Sequence, residues 1–249
     1  MLENLESVPW DRLHHAYGPA ADIPGLLRDL VTGDTATRDR AVWELRGNIW
    51  HQGTVYEATV HAVPFLVEIA AARDLVPAAI RAHVLLLTMD ISRGTSYLDV
   101  HGPLLRDSLS DDERVQLKRE LEWVAAARDA VREQVPMLLG LLDEESPAIQ
   151  AAAAGIAAQF PEDASSRLSR VDQLRATSSG PAHGLYELLS SLLLGRPVSH
   201  VLMRQVASAS EDVADYLEGL RETGMTLEEQ SLAVAAELAE RSVAQALGF

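Results

Sequence analysis

Gly47-Asn48-Ile49-Trp50-His51-Gln52-Gly53-Thr54-Val55-Tyr56-Glu57-Ala58-Thr59-Val60-His61-Ala62-Val63-Pro64-Phe65-Leu66 decides how the chain is read. The stretch joins two segments of helical character and packs His51, Gln52, Tyr56, Glu57 and His61 into eleven residues. It ends in Val63-Pro64-Phe65-Leu66-Val67, which recurs as Ile23-Pro24-Gly25-Leu26-Leu27 and Val135-Pro136-Met137-Leu138-Leu139. Six residues beyond each proline stands another apolar residue: Leu30, Ala70 and Leu142. The first two prolines are 40 residues apart; the third lies 72 further on, as an inserted loop and extra helix would require. A helical hairpin repeating near forty residues has too little core of its own and buries its apolar face against its neighbours.

The remaining segments read as helices. Asp22 is placed to cap a helix opened by Ile23-Pro24 and closed by Gly33. A second helix is expected from Thr35 to Arg46, stopped by Gly47-Asn48. Thr54-Val55-Tyr56-Glu57 fits a capping box, in which hydroxyl and carboxylate satisfy each other's backbone amides. Pro64 is expected to kink or split the helix that follows. Pro77 to Ile91 is apolar on most sides, hence deeply buried. Ser92 to Ser110 lacks helical periodicity and contains Gly94, Gly102 and Pro103, so it reads as a long inserted loop of functional weight. Ser110-Asp111-Asp112-Glu113 and Thr226-Leu227-Glu228-Glu229 are two further capping boxes. A helix of about thirty residues follows the former, with Pro136 marking a break or kink. Ser146-Pro147 opens an alanine-rich helix, and less distinct helices occupy 163–177, 181–195, 198–208 and 210–222. No segment alternates as a strand would.

Composition agrees with an all-α chain. Hydrophobic residues make up 47% of the 249 and aromatics 5%, so packing relies on Leu, Val, Ile and Ala. With no cysteine, disulfides, thiolate metal sites and a Cys nucleophile are excluded. The N-terminal residues lack a basic region followed by an apolar run, and no apolar stretch reaches bilayer-spanning length. A soluble, cytoplasmic protein is the expectation. The formal net charge is −16, with 14 acidic and 9 basic side chains in residues 1–110 and 23 and 12 in the remainder. That field repels phosphate backbones and anionic lipid, so neither nucleic acid nor membrane is an expected partner.

The three Val/Ile-Pro-x-Leu segments, with Asp34, Arg38, Ala41 and Leu45 between them, resemble the HEAT-like repeat family, including its phycobilisome-lyase-type members. The block Asn48 to Thr59 looks like one found in bacterial HEAT-like proteins of undefined function. The resemblance covers roughly residues 10–160 and implies a right-handed α-solenoid of HEAT-like helical hairpins forming a single domain, with degenerate repeats over 161–249. It implies a binding surface and attaches no activity.

Candidate binding residues are His51, Gln52, Tyr56, Glu57, His61 and His101. The first three carry hydrogen-bonding groups before and inside a helix N-terminus, a place suited to anions. The structural reading, in which they satisfy the loop backbone between two hairpins, carries more weight. Glu57 and His61 share a helical face at i,i+4, but zinc needs three or four ligands, so no metal and no cofactor is indicated. His14, His15 and Tyr17 are expected to pack against this block, and Tyr97, Asp99 and His101 to approach it. No nucleophile elbow, phosphate-cradling loop or zinc-protease helix is present. Two functions follow: a protein- or peptide-binding scaffold of regulatory or immunity type with a basic partner, or a small-molecule-binding protein or enzyme using His51, Tyr56, Glu57 and His61. A deep pocket at those side chains favours the second, an open groove the first.

Overall fold

The computed structural model describes residues 1–101 and 109–249, and helices dominate it. The chain divides into two compact units, Met1–Gln134 and Val135–Phe249.

In the first unit, a two-residue hairpin, β1 (His14–His15) with β2 (Gly18–Pro19), precedes α1 (Ile23–Thr32) and α2 (Thr35–Ile49). A second hairpin, β3 (Trp50–His51) with β4 (Thr54–Val55), leads into α3 (Glu57–Ala71) and α4 (Ala78–Ser92). A short helix α5 (Tyr97–His101) and the long α6 (Asp111–Leu138) follow; the last turn of α6 belongs to the second unit. Helix α1 packs on α2 and α3 on α4, and the pairs meet through α1 against α3 and α2 against α4. Leu27, Leu30, Leu45, Leu66, Ile69 and Leu85 are fully buried between them. Each contributes about 1.5–3 kcal/mol as apolar surface leaves water. Two of the three Pro-Leu segments thus supply one core.

Several local expectations are corrected. Helix α2 continues through Gly47-Asn48 to Ile49, because the antiparallel hairpin that follows, and no glycine cap, ends it. Asp22 makes no capping hydrogen bond. Its Oδ1 lies 2.9 Å from His15 Nε2, and its Oδ2 accepts from the Asn48 amide at 2.8 Å. The Tyr17 N–H donates to His15 Nδ1, so the ring proton is on Nε2 and points at Asp22. The three repeated segments occupy different helix positions: Pro24 opens α1, Pro64 lies inside α3, and Pro136 is near the end of α6. Pro64 leaves the Val60 carbonyl without its helical donor, yet α3 is unbroken. The segment 92–110 holds a helix after all, α5; its Gly102 and Pro103 lie outside the described residues.

Asp34 and Ser110 start α2 and α6 as their sequences dictate. The Asp34 carboxylate accepts the Thr37 N–H at 2.9 Å, and those Thr37 hydrogen bonds hold its carboxyl below the usual range. Ser110 and Glu113 form their capping box, each accepting the other's backbone N–H. Between α2 and α4 the Arg46 guanidinium lies 2.6 Å from Asp90 and 4.6 Å above the Trp50 ring. Burial pushes the Asp90 carboxyl up, against the pull of Arg46.

The second unit contains a 3-10 turn (Leu139–Asp143), α7 (Pro147–Gln159), α8 (Pro161–Ala164), α9 (Leu168–Thr177), α10 (Gly180–Leu193), α11 (His200–Ala207), α12 (Glu211–Arg221) and α13 (Leu227–Leu247). Every residue of α7 from Ala151 to Gln159 is buried. It packs on α13, α10 and the 3-10 turn. Alanines 233, 235, 236 and 239 of α13 are buried too, so small side chains on both helices permit close approach. Thr226 and Glu229 form the capping box that opens α13, and Gly248 closes it in the left-handed conformation, φ 85°.

Candidate ligand-binding site

The β3–β4 turn has only two residues, Gln52 (φ 51°) and Gly53 (φ 90°). Positive φ at both central positions matches the right-handed twist of a tight hairpin. Glycine takes it freely, whereas Gln52 carries the left-handed penalty of an L-residue. Thr95 then joins the hairpin. Its N–H donates to the Gly53 carbonyl at 2.7 Å and its own carbonyl accepts the Val55 N–H at 3.1 Å. Gly94 makes this approach feasible, because a Cβ there would lie 2.3 Å from Val55 Cγ1. Two residues later α5 begins, delivered beside the start of α3.

Helix α3 starts at Glu57 with Tyr56 as N-cap, so the Thr54–Glu57 capping box does not form. Thr54 is committed to β4, opposite His51. Thr59 caps the helix in its place. The Thr59 hydroxyl accepts the Tyr56 N–H at 2.8 Å and donates to the buried Ile49 carbonyl at 2.6 Å. One hydroxyl therefore joins the end of α2 to the start of α3. It also releases Glu57 from backbone duty.

These elements border a cavity of ≈ 630 Å³. Arg12 and His14 reach it from the N-terminal segment, Tyr56 and Glu57 from the start of α3, and Tyr97 from α5. Helix α6 contributes one stripe at three- and four-residue steps: Asp112, Gln116, Arg119 with Glu120, and Trp123.

Glu120 is only 4% exposed. Its Oε2 accepts the Leu98 N–H at 2.9 Å and its Oε1 the Gln116 amide at 2.8 Å, so the carboxylate is fixed and ties α6 to α5. Glu57 Oε2 lies 3.7 Å from His14 Nδ1. Burial pushes the Tyr56 phenol up, helped by Tyr17, Tyr97 and the Glu120 charge. The group consequently stays protonated at neutral pH and presents an O–H donor. Arg12 and Arg119, both exposed, make no ion pair among the described residues.

Of the six candidates, Tyr56 and Glu57 line the cavity. His51 does not. It is half-buried with Nδ1 3.3 Å from the Tyr17 hydroxyl, the rings edge-on at 5.4 Å. This is the packing expected of the N-terminal aromatics against the central block. Gln52 is exposed at the turn, and His61 is exposed on α3 away from the lining. His101 is exposed and rests on Tyr97, ring centroids 4.7 Å apart. Of Tyr97, Asp99 and His101, Tyr97 alone lines the cavity with Tyr56. Sequence reasoning missed Arg12, Arg119, Glu120 and Trp123. The last three belong to the stripe 112, 116, 119/120 and 123 along α6, one turn apart, a pattern that in sequence is the same as a solvated helix face.

Among the described residues no group of three or more His, Asp or Glu is gathered to hold a metal, and no helix is long and apolar enough to cross a membrane. Compared with protein-family models, curated proteins and solved structures, the chain matches none.

Proposed function

We propose that the chain is a HEAT-like α-solenoid binding protein of the cytoplasm, and that its first unit receives a small organic molecule in the Tyr56–Glu57 cavity. The cavity itself carries the reading. Its ≈ 630 Å³ falls within the range of small-molecule sites, about 300–1,000 Å³. Its wall combines the rings of Tyr56, Tyr97 and Trp123 with a few polar groups that fix orientation. The HEAT-like part is supported by the stacking of α1 on α3 and α2 on α4, since repeats bury each hairpin against the next. A basic protein partner is the second reading, favoured by the −16 charge and by Trp43, 70% exposed on α2.

Nitrogen-15-labelled protein tests the small-molecule reading through the indole N–H resonances of its four tryptophans, assigned by single Trp→Phe changes. Members of a fragment library are expected to move the Trp123 resonance, and Tyr56→Ala to abolish the shift. A library that leaves Trp123 unmoved refutes the cavity as a ligand site.

A further inference from the structure

We infer that the ligand of this cavity is an organic anion, a carboxylate or phosphate carried on a planar ring. The inference rests on the small-molecule reading above and adds to it the sign and shape of the ligand.

Three carboxylates and two guanidiniums line the cavity, and they differ in what already occupies them. Both Glu120 oxygens accept protein hydrogen bonds, from Leu98 and Gln116. Glu57 faces His14 at 3.7 Å. Asp112 alone is unengaged among the described residues, exposed in the first turn of α6. Arg12 and Arg119 have no ion-pair partner among those residues, whereas Arg28, Arg46, Arg175 and Arg241 all pair with carboxylates. Each of these two guanidiniums offers a fork of N–H donors that matches a carboxylate or phosphate bidentately. The Tyr56 O–H is a further donor on the same wall.

A cation in this space would meet the guanidiniums of Arg12 and Arg119, and carboxylates that are mostly committed elsewhere. An anion meets the opposite arrangement. The planar body follows from Tyr97 and Trp123, whose rings supply apolar faces for stacking. The net charge of −16 opposes an approaching anion at long range. At physiological salt that field is screened within about 8 Å, leaving the local donors to decide binding.

Phenyl phosphate, benzamidine and benzyl alcohol share one ring and differ in charge, so titrating each while following the Trp123 resonance separates the alternatives. Phenyl phosphate is expected to bind at least ~10-fold more tightly than either other probe and more tightly than inorganic phosphate. Arg12→Gln and Arg119→Gln are each expected to weaken it by roughly 10- to 100-fold, the range of a lost charge-assisted hydrogen bond. Glu57→Gln should tighten it, because it removes a negative charge from the wall that the anion meets, and weaker phenyl phosphate binding in this variant would count against the anion assignment. Benzamidine binding more tightly, with loss in the Glu57→Gln variant, would overturn the anion assignment and leave the cavity reading standing. Undiminished phenyl phosphate binding in both arginine variants would also overturn it. Silence of Trp123 toward every probe and every library fragment would instead remove the cavity reading itself.

Discussion

Thr59→Val tests how the site is positioned. Valine keeps the shape of threonine and deletes only the hydroxyl. The side chain is fully buried, so no water replaces it at the Ile49 carbonyl, 2.6 Å away. The Tyr56 N–H, 2.8 Å away and part-buried, loses its acceptor at the same time. Each buried group left unpaired costs about 1–3 kcal/mol, and the half-buried amide belongs at the low end. The expected destabilisation is about 2–4 kcal/mol. Urea unfolding at an m-value of about 2–3 kcal/mol/M should show a midpoint lowered by roughly 1 M. Thr59→Ser keeps both hydrogen bonds and should lose about 1 kcal/mol for the methyl group. A Thr59→Val protein within about 0.5 kcal/mol of the parent, less than a single hydrogen bond contributes, would show that this hydroxyl does not hold the start of α3. Thr54→Ala, by contrast, removes no cap.

Gln52→Asn should raise stability by up to about 1 kcal/mol, since Asn tolerates the positive φ of Gln52 better and Asn-Gly suits this turn; a thermal midpoint that falls would mean the Gln52 side chain has another role. Leu66→Ala should cost about 2–5 kcal/mol by denaturant titration, because that side chain is fully buried; an unchanged midpoint would contradict the packing described. Gly94→Ala should displace Val55 and loosen the Thr95 pairing, read as faster amide exchange at Val55 and Thr95, and protection equal to the parent would refute the close approach. The Asp90 carboxyl is raised above 3.8 by burial. The folded state therefore holds that proton more firmly than the unfolded chain, and stability drawn from this group falls as pH rises through its folded pKa. Asp90→Asn should gain stability relative to the parent as pH rises from acid toward neutral, and a difference independent of pH would refute this assignment.

The predominance of helix was legible because helix signals are local. Asp34, the Ser110–Glu113 pair and the Thr226–Glu229 pair each cap the helix they precede. The Thr54–Glu57 pair has the same pattern and fails, because Thr54 is drawn into β4 and Thr59 satisfies the backbone instead. Nothing within four residues announces that choice, which depends on Ile49 ten positions earlier. Asp22 fails likewise: His15 and Asn48 compete for its carboxylate more effectively than its own helix does. Tyr56 and Glu57 were legible as candidates, being polar at a helix start, and both line the cavity. The α6 stripe was not. Charged residues along a helix face normally read as solvated surface, and only packing against α5 and the N-terminal segment makes that face a wall.

The packing of α13 on α7 sets an order of events during synthesis. In the first unit each helical pair finds its partner among its immediate neighbours, so it can assemble as it leaves the ribosome. Helix α7, buried along nearly its whole length, must wait for a helix that ends at Leu247, 88 residues after Gln159. At roughly 5–20 residues per second this is on the order of 4–18 s. For that interval an almost wholly apolar alanine helix is without its main cover, and a chain cut short before Leu227 would keep it so indefinitely.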